Sequence, residues 1–274
     1  MSGQSDILVI IAHPDDEIFV SGTICLCAEK GFRMALACVT DGDAGDRELL
    51  PANFDVRVAE VRRRSLELSA TVLGIADVIF LEQADVPHEV ARADSWDHEL
   101  VAGSIARLIE HLQPELILTH GPLGGYGHPA HRMVHDCVMK AVRQTAYSGS
   151  VFSFCGQVKH AFFSWHFERP SDVLVDVRAF LRRRSASLSY HQSEIDFFLH
   201  PYFPRSLRKF LSACFGYLFS FTATGRKRVP IATPLRFFKR FPVEGLMLQK
   251  SPDPPYLHFF MEHYRNDPRV TNNR

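Results

Sequence analysis

The stretch Ile7-Leu8-Val9-Ile10-Ile11, followed at once by Ala12-His13-Pro14-Asp15-Asp16-Glu17, decides the fold. Five consecutive apolar residues, three of them isoleucine, show no polar alternation and are too few for a buried helix. They read as a strand covered on both faces, the kind found in parallel sheets. A proline and two aspartates end the run abruptly. Working outward, apolar runs of the same kind recur at Met34–Thr40, stopped by Asp41-Gly42, at residues 77–81 and at Leu116–Thr119. Between them lie segments with helical spacing: residues 18–30 before Gly31, 54–73 before Gly74, and 97–112, where Leu100, Val101, Ile105, Leu108, Ile109 and Leu112 recur with a helical period. Residues 129–143 read as another helix, 151–167 as a more β-like region, 173–175 as a strand, and 177 to about 191 as a further helix.

Strands alternating with helices imply βαβ units, and so a Rossmann-like three-layer α/β fold with a mostly parallel sheet. Such sheets bind ligands beyond the carboxyl ends of their strands. Two loops there carry chemistry. One is His13-Pro14-Asp15-Asp16-Glu17. The other is His120-Gly121-Pro122-Leu123-Gly124-Gly125-Tyr126-Gly127-His128-Pro129-Ala130-His131. If the first and fourth strands are neighbours, both loops face one crevice. Imidazoles and carboxylates together suit zinc, which in catalytic sites keeps three protein ligands and a water. His13, Asp16 and one histidine of the second loop make such a set, with Asp15 left as a general base. The plainer reading of the first loop is a helix N-cap, in which Asp15 or Asp16 accepts from free backbone N–H groups. His131 and His135 are spaced i, i+4, but no Glu follows His131, so this is not HExxH, and His135 reads as a supporting or surface residue. Residues 41–46 lack the terminal Glu of a calcium loop, and the glycines from 121 to 127 do not form GxGxxG.

The AHPDDE run together with the later GxHPxH run resembles the PIG-L/LmbE-like zinc-dependent N-deacetylases, which remove acetyl groups from N-acetylglucosamine-type sugars. The resemblance covers roughly residues 6 to 195. It extends to Thr40-Asp41-Gly42-Asp43-Ala44-Gly45, similar to the family's T-x-G-x-x-G loop, and to His191-Gln192-Ser193-Glu194, similar to its H-x-S-Q run with Glu194 in place of Gln. It implies that His13, Asp16 and His131 hold zinc and that Asp15 is the general base. It implies that His128 stabilises or protonates the tetrahedral intermediate and leaving amine, and that Tyr126 helps polarise the carbonyl. Arg62 and Asp85 fall near positions where the family grips sugar hydroxyls. Two further departures are Ala130, where many members have Asp, and Ser65 after Arg62-Arg63-Arg64, where an acidic residue is usual. The implied organisation is a deacetylase catalytic domain over 1–195 and a C-terminal extension over 196–274 packed on it.

Composition adds the partners. The chain has 274 residues, 46% hydrophobic and 23% charged, which excludes a disordered chain or a small disulfide scaffold. Its net charge of zero is a cancellation. Between Phe197 and Val243 there are nine basic residues and no acidic one, which leaves 22 basic against 31 acidic residues elsewhere. The basic, aromatic segment 205–240 suits a phosphate-bearing or lipid-linked substrate, or peripheral contact with an anionic membrane; the bland alternative is a core helix with basic surface loops. No nucleic-acid partner is expected. Six cysteines without CxxC spacing, and a start lacking the pattern of a secretory signal, point to a reducing, cytoplasmic compartment. The expected activity is removal of an N-acetyl or other N-acyl group from an amino-sugar conjugate by zinc-bound water. The alternatives are a zinc amidase acting on a non-sugar amide, and a non-catalytic carbohydrate- or anion-binding protein.

Overall fold

The run Ile7–Ile11 forms strand β1, buried along its whole length. The computed structural model describes residues 4–44, 58–86, 95–158, 168–191, 242–250 and 267–272. β1 pairs in parallel with β2 (Met34–Thr40) on one side and β4 (Leu116–Thr119) on the other. Outside them, β3 (Asp77–Gln83) pairs with β2 and β5 (Ser150–Ser153) with β4, again in parallel. Three further strands complete the sheet through antiparallel pairings: β6 (Val173–Asp176), β7 (Val243–Lys250) and β8 (Val270–Asn272). The full order is β3-β2-β1-β4-β5-β7-β6-β8. β7 and β8 come from the sequence beyond residue 195, so part of that segment lies within the sheet.

Period-two alternation along β1 feeds two cores. Ile7, Val9 and Ile11 pack with Ile24 of α1 (Ser21–Glu29) and Leu66 of α2 (Val58–Leu73). Leu8 and Ile10 pack on the opposite face with Val101 and Ile105 of α3 (His98–Leu112) and Val134 and Val138 of α4 (Pro129–Gln144). A shorter helix, α5 (Leu181–Leu188), contacts α1 and α2. Each such side chain contributes roughly 1.5–3 kcal/mol when fully buried, so a strand feeding both cores anchors the fold. Asp97 caps α3 by accepting from the N–H groups of Glu99 and Leu100.

Several elements differ from the sequence reading. The helix expected from residue 18 begins as a 3-10 turn, Asp16–Val20, and becomes α-helical only at Ser21. The cause is Glu244 of β7, whose carboxylate accepts from the N–H groups of Gly22 (2.8 Å) and Thr23 (2.7 Å) and caps α1 there. Arg184 of α5 pairs with the same carboxylate at 3.1 Å. The helix expected from 177 starts with a 3-10 turn, Arg178–Phe180, and then forms α5. Of the β-like stretch 151–167, only Ser150–Ser153 is a strand among the described residues. Residues 54–57, Glu194 and the basic segment 205–240 lie outside the described residues. Among the described residues, five cysteines are free and buried, and no helix is long and apolar enough to cross a membrane.

Candidate metal centre and active site

β1 and β4 are neighbours, so the loops that leave their carboxyl ends meet. In the first loop, Asp16 folds its carboxylate back to accept the His13 N–H at 2.8 Å. Asp15 makes no side-chain cap to the helical turn that follows, so it does not serve as an N-cap. Its φ of 144° places it where L-residues are strained, a cost of about 1–3 kcal/mol that recurs at functional sites.

The hydrogen bonds of each histidine fix where its lone pair points. His131, in the first turn of α4, has Nδ1 3.3 Å from the Gly124 carbonyl, to which it donates. Its Nε2 is buried without a hydrogen-bond partner and lies 3.1 Å from Asp16 Oδ1. His13 places Nε2 3.3 Å from Asp85 Oδ1 and Nδ1 3.4 Å from Asp16 Oδ2. His128 is the N-cap of α4: its Nδ1 accepts from the Ala130 N–H at 3.2 Å, which leaves the hydrogen of the neutral ring on Nε2. His120 uses Nε2 to accept from the Ala12 N–H at 3.1 Å. Two trios bring metal-ligating atoms within 4.8 Å of one another: His13, His128 and His131, and Asp16, His120 and His131. In each trio one histidine, His128 or His120, has its lone pair committed to a backbone amide. The atoms left facing one another belong to His13, Asp16 and His131.

Electrostatics fit a cation at that point. Burial disfavours charge on Asp16, yet the facing imidazoles of His131 and His120 hold its carboxyl well below the usual carboxylate range. Burial likewise opposes charge on His13, but hydrogen bonds to Asp16 and Asp85 outweigh it and raise its pKa to about 10. Without a metal, His13 is an imidazolium bridging two carboxylates. Burial, then the neighbouring His131, lowers His120 to about 3 and keeps it neutral. Two imidazoles and a carboxylate are a donor set that zinc accepts.

The remaining residues frame this point. Tyr126 sets its ring edge-on to His128 and His131, with centroids 5.8 and 5.3 Å apart. Asp85 contacts His13, and burial, which would raise its carboxyl, is outweighed by the His13 hydrogen bond, which lowers it. Arg62 is only 5% exposed and directs its guanidinium to Asp15 and to loop carbonyls. Its neighbours serve elsewhere: Arg63 pairs with Glu82 and stacks on Phe80, and Arg64 pairs with Glu67. His135 is buried, with Nδ1 3.0 Å from the His120 carbonyl. Three supports had no role assigned to them from the sequence. His120 directly follows β4, and the strand-end rule could have found it. His191 reaches back 174 positions to Glu17, which also accepts from Ser69. Glu168 is buried, and its Oε1 accepts from the N–H groups of Leu123 (3.1 Å) and Gly125 (2.9 Å). No local pattern announces that role.

Residues 8–142 match the family PIG-L, described as GlcNAc-PI de-N-acetylase. The 1D-myo-inositol 2-acetamido-2-deoxy-alpha-D-glucopyranoside deacetylase 2 of Catenulispora acidiphila is 33% identical over 168 residues, 54% of this chain and 54% of that protein. The chain spans about half the length of the curated relatives it matches. Among solved structures, the 4-carboxy-2-hydroxymuconate hydratase of Pseudomonas putida superimposes with a TM-score of 0.58 at 19% identity, covering 94% of this chain and 100% of that one. The N,N'-diacetylchitobiose deacetylase of Pyrococcus horikoshii does so with a TM-score of 0.54 at 19% identity, covering 89% and 84%. At these identities the two structures establish the shared fold. The matched span, residues 8–142, contains both loops of the metal centre, and it is over this span that the chain matches the PIG-L family.

Proposed function

We propose that this chain is a zinc-dependent N-deacetylase acting on an N-acetylglucosamine-type conjugate. The observation that carries the reading is His131 Nε2, a buried nitrogen without a hydrogen-bond partner 3.1 Å from an ionised Asp16 oxygen. A buried imidazole nitrogen this close to a carboxylate oxygen needs a positive group between them, a proton in the metal-free protein or a metal ion in its place. His13 Nδ1 closes the third side, and both histidines turn their other nitrogen to a backbone carbonyl or a carboxylate, as metal ligands do. His13, Asp16 and His131 are therefore the ligands in this reading. The family match and the activity named for the Catenulispora relative support it.

Zinc bound there supplies a water whose pKa falls to about 7 and draws electron density from the amide carbonyl. Asp15 takes a proton from the attacking water and returns it to the leaving nitrogen, which departs poorly unless protonated. His128, fixed as the Nε2–H tautomer, donates to the oxygen that gains charge; one such donor contributes roughly 2.7–4 kcal/mol. Tyr126 adds a second donor beside it. The Ala130 N–H sets the His128 tautomer, so the absent carboxylate at 130 is not required for that task. Asp85 holds the His13 ring. The segment 205–240 is assigned to a phosphate-bearing or lipid-linked part of the substrate; salt-sensitive co-sedimentation with anionic liposomes separates the lipid-linked case.

The test pairs zinc analysis with a free-amine assay over N-acetylglucosamine glycosides, nucleotide sugars, aminoglycoside precursors and the inositol conjugate. About one zinc per chain and amine release from one class is expected. Stoichiometric zinc without amine release from any of them ends the reading and leaves a binding protein or an amidase for non-sugar amides. Direct detection of the amine matters, because the fold is shared with a hydratase and fold alone does not name a reaction.

A further inference from the structure

We infer that Glu17 and His191 are a positioning pair for the turn after β1; this rests on the reading of Asp15 as general base and Asp16 as metal ligand. Hydrogen bonds within the turn close it, but they do not fix its seat against the helices beneath. Glu17 supplies that seat. Its side chain is fully buried, and Oε1 accepts from the Ser69 hydroxyl of α2 and from His191 Nε2, each at 2.5 Å. The Ser69 hydrogen is committed to Glu17, so the Ser187 hydroxyl of α5 donates to Ser69 at 2.7 Å. The next residue of the turn, Ile18, packs on Leu188. Ser187, Leu188 and His191 all lie at the end of α5 or just beyond it, so this end grips the turn with one apolar contact and one polar chain.

Two observations show that the pair has a purpose beyond filling the core. Glu17 Oε2 is buried with no hydrogen-bond partner, a cost that an apolar residue of similar length would avoid. The carboxylate therefore contributes direction, not stability. Glu17 also stands two residues after Asp15, whose φ of 144° persists only where its surroundings over-determine it. A slip of the turn would move the base and the ligand together, and a displacement of about 1 Å can cost on the order of a hundredfold in rate. His191 opens the His-Gln-Ser-Glu run at 191–194. Its histidine acts on the centre through Glu17 and not as a ligand.

The experiment measures zinc affinity by chelator competition, the visible spectrum of the cobalt-loaded protein, and steady-state kinetics on the inositol conjugate of N-acetylglucosamine. The variants are Glu17→Ala, His191→Ala, the two combined, and Ile24→Val, a core substitution in α1 that lowers Tm without touching the pair. Positioning predicts that zinc affinity and kcat each fall on the order of 10–100-fold in either single variant. KM stays within about twofold, and the cobalt spectrum, which reports ligand geometry, changes. The double variant loses no more than the worse single one, because the two residues act as a unit. Ile24→Val keeps the wild-type affinity, kcat and spectrum. A His191→Ala protein with wild-type zinc affinity and spectrum overturns the proposal, and so do single losses that multiply in the double variant. Equal losses in Ile24→Val would reduce the pair to general stability and overturn it too. Where an alanine variant does not fold, Ser69→Ala removes one donor to Glu17 and little volume. Affinity lowered on the order of tenfold supports the proposal there, and wild-type affinity defeats it. A wild-type protein that releases no amine counts against the deacetylase reading, while zinc affinity and the cobalt spectrum still judge the pair.

Discussion

The two loops that form the centre each make hydrogen bonds of their own and differ in how much support comes from distant residues. The turn after β1 is closed largely by its own residues: the Asp16 carboxylate accepts the His13 N–H, the Asp16 N–H donates to the His13 carbonyl at 3.2 Å, and the Ile18 N–H donates to the Asp15 carbonyl at 3.1 Å. The loop after β4 makes turns of its own, with the Gly124 N–H donating to the Gly121 carbonyl at 3.0 Å and the Gly127 N–H to the Gly124 carbonyl at 3.2 Å, but Gly124, Gly125 and Gly127 are at positive φ and Glu168 supports it from 43 to 45 positions away. A self-closing turn writes its geometry into adjacent letters. A glycine-rich loop supplies freedom, and something distant must remove it. The first kind of site is found by reading a motif, the second only by seeing what packs against it.

The sharpest way to break this comparison is to remove chemistry from the first loop without disturbing its shape. Asp15→Asn keeps the size and the strained backbone but cannot take a proton. Turnover should fall by about 10²–10⁴, the usual worth of a general base, with one zinc still bound. Metal analysis alongside the kinetics checks it: zinc lost in proportion to activity would make Asp15 part of the metal shell and not the base.

The next question is whether the first loop is as self-sufficient as its local hydrogen bonds suggest. Asp85, from beyond β3, orients His13 at 3.3 Å. Partners that orient a metal ligand typically contribute 10–100-fold in affinity, and Asp85→Ala should weaken zinc by about that factor in competition with a chelator. Unchanged zinc affinity with a raised KM would return Asp85 to the sugar-contact role that the sequence resemblance implied.

These residues also show how much was legible in the sequence. β1, β2 and β4 declared themselves because parallel core strands are continuous apolar runs, and Asp97 declared the start of α3 because an N-cap is a local preference. His13, Asp15, Asp16, His128 and His131 stood out because both loops follow readable strands. β7 did not: its sequence, Val-Glu-Gly-Leu-Met-Leu-Gln-Lys, mixes polar and apolar residues, and it pairs with strands roughly 70 and 95 positions earlier. Glu244 within it caps α1 across 222 positions, which no window of sequence reveals. Arg62 and Asp85 were found, but which neighbour each one touches is a tertiary fact.

A smaller effect comes from pH. The His13 pKa, raised to about 10, places a proton in the metal-free centre where the proposed function puts zinc. Binding must expel it, so apparent zinc affinity should rise about tenfold per pH unit through the neutral range. Calorimetry in buffers of different ionisation enthalpy should count close to one proton released. The sign for stability follows the same group. A raised folded pKa stabilises the metal-free protein fully below about pH 6.5 and loses that contribution as pH rises through about 10. Zinc-loaded protein should lack this dependence. Zinc affinity that is flat with pH would show that His13 is already neutral and that the two carboxylates do not hold its proton.

The smallest effect tests the second loop. Glu168→Ala leaves the N–H groups of Leu123 and Gly125 without their acceptor in a buried setting, a cost of about 1–3 kcal/mol each at most, visible as a lowered Tm. Glu168→Gln keeps an acceptor oxygen and should recover most of it. Because the same loop provides the Gly124 carbonyl that faces His131 Nδ1, the alanine variant should also bind zinc more weakly, whereas a loop that held itself would lose neither stability nor metal. If Tm and zinc affinity both stay at wild-type values in Glu168→Ala, the loop after β4 is self-closing like the turn after β1, and the contrast between the two loops fails.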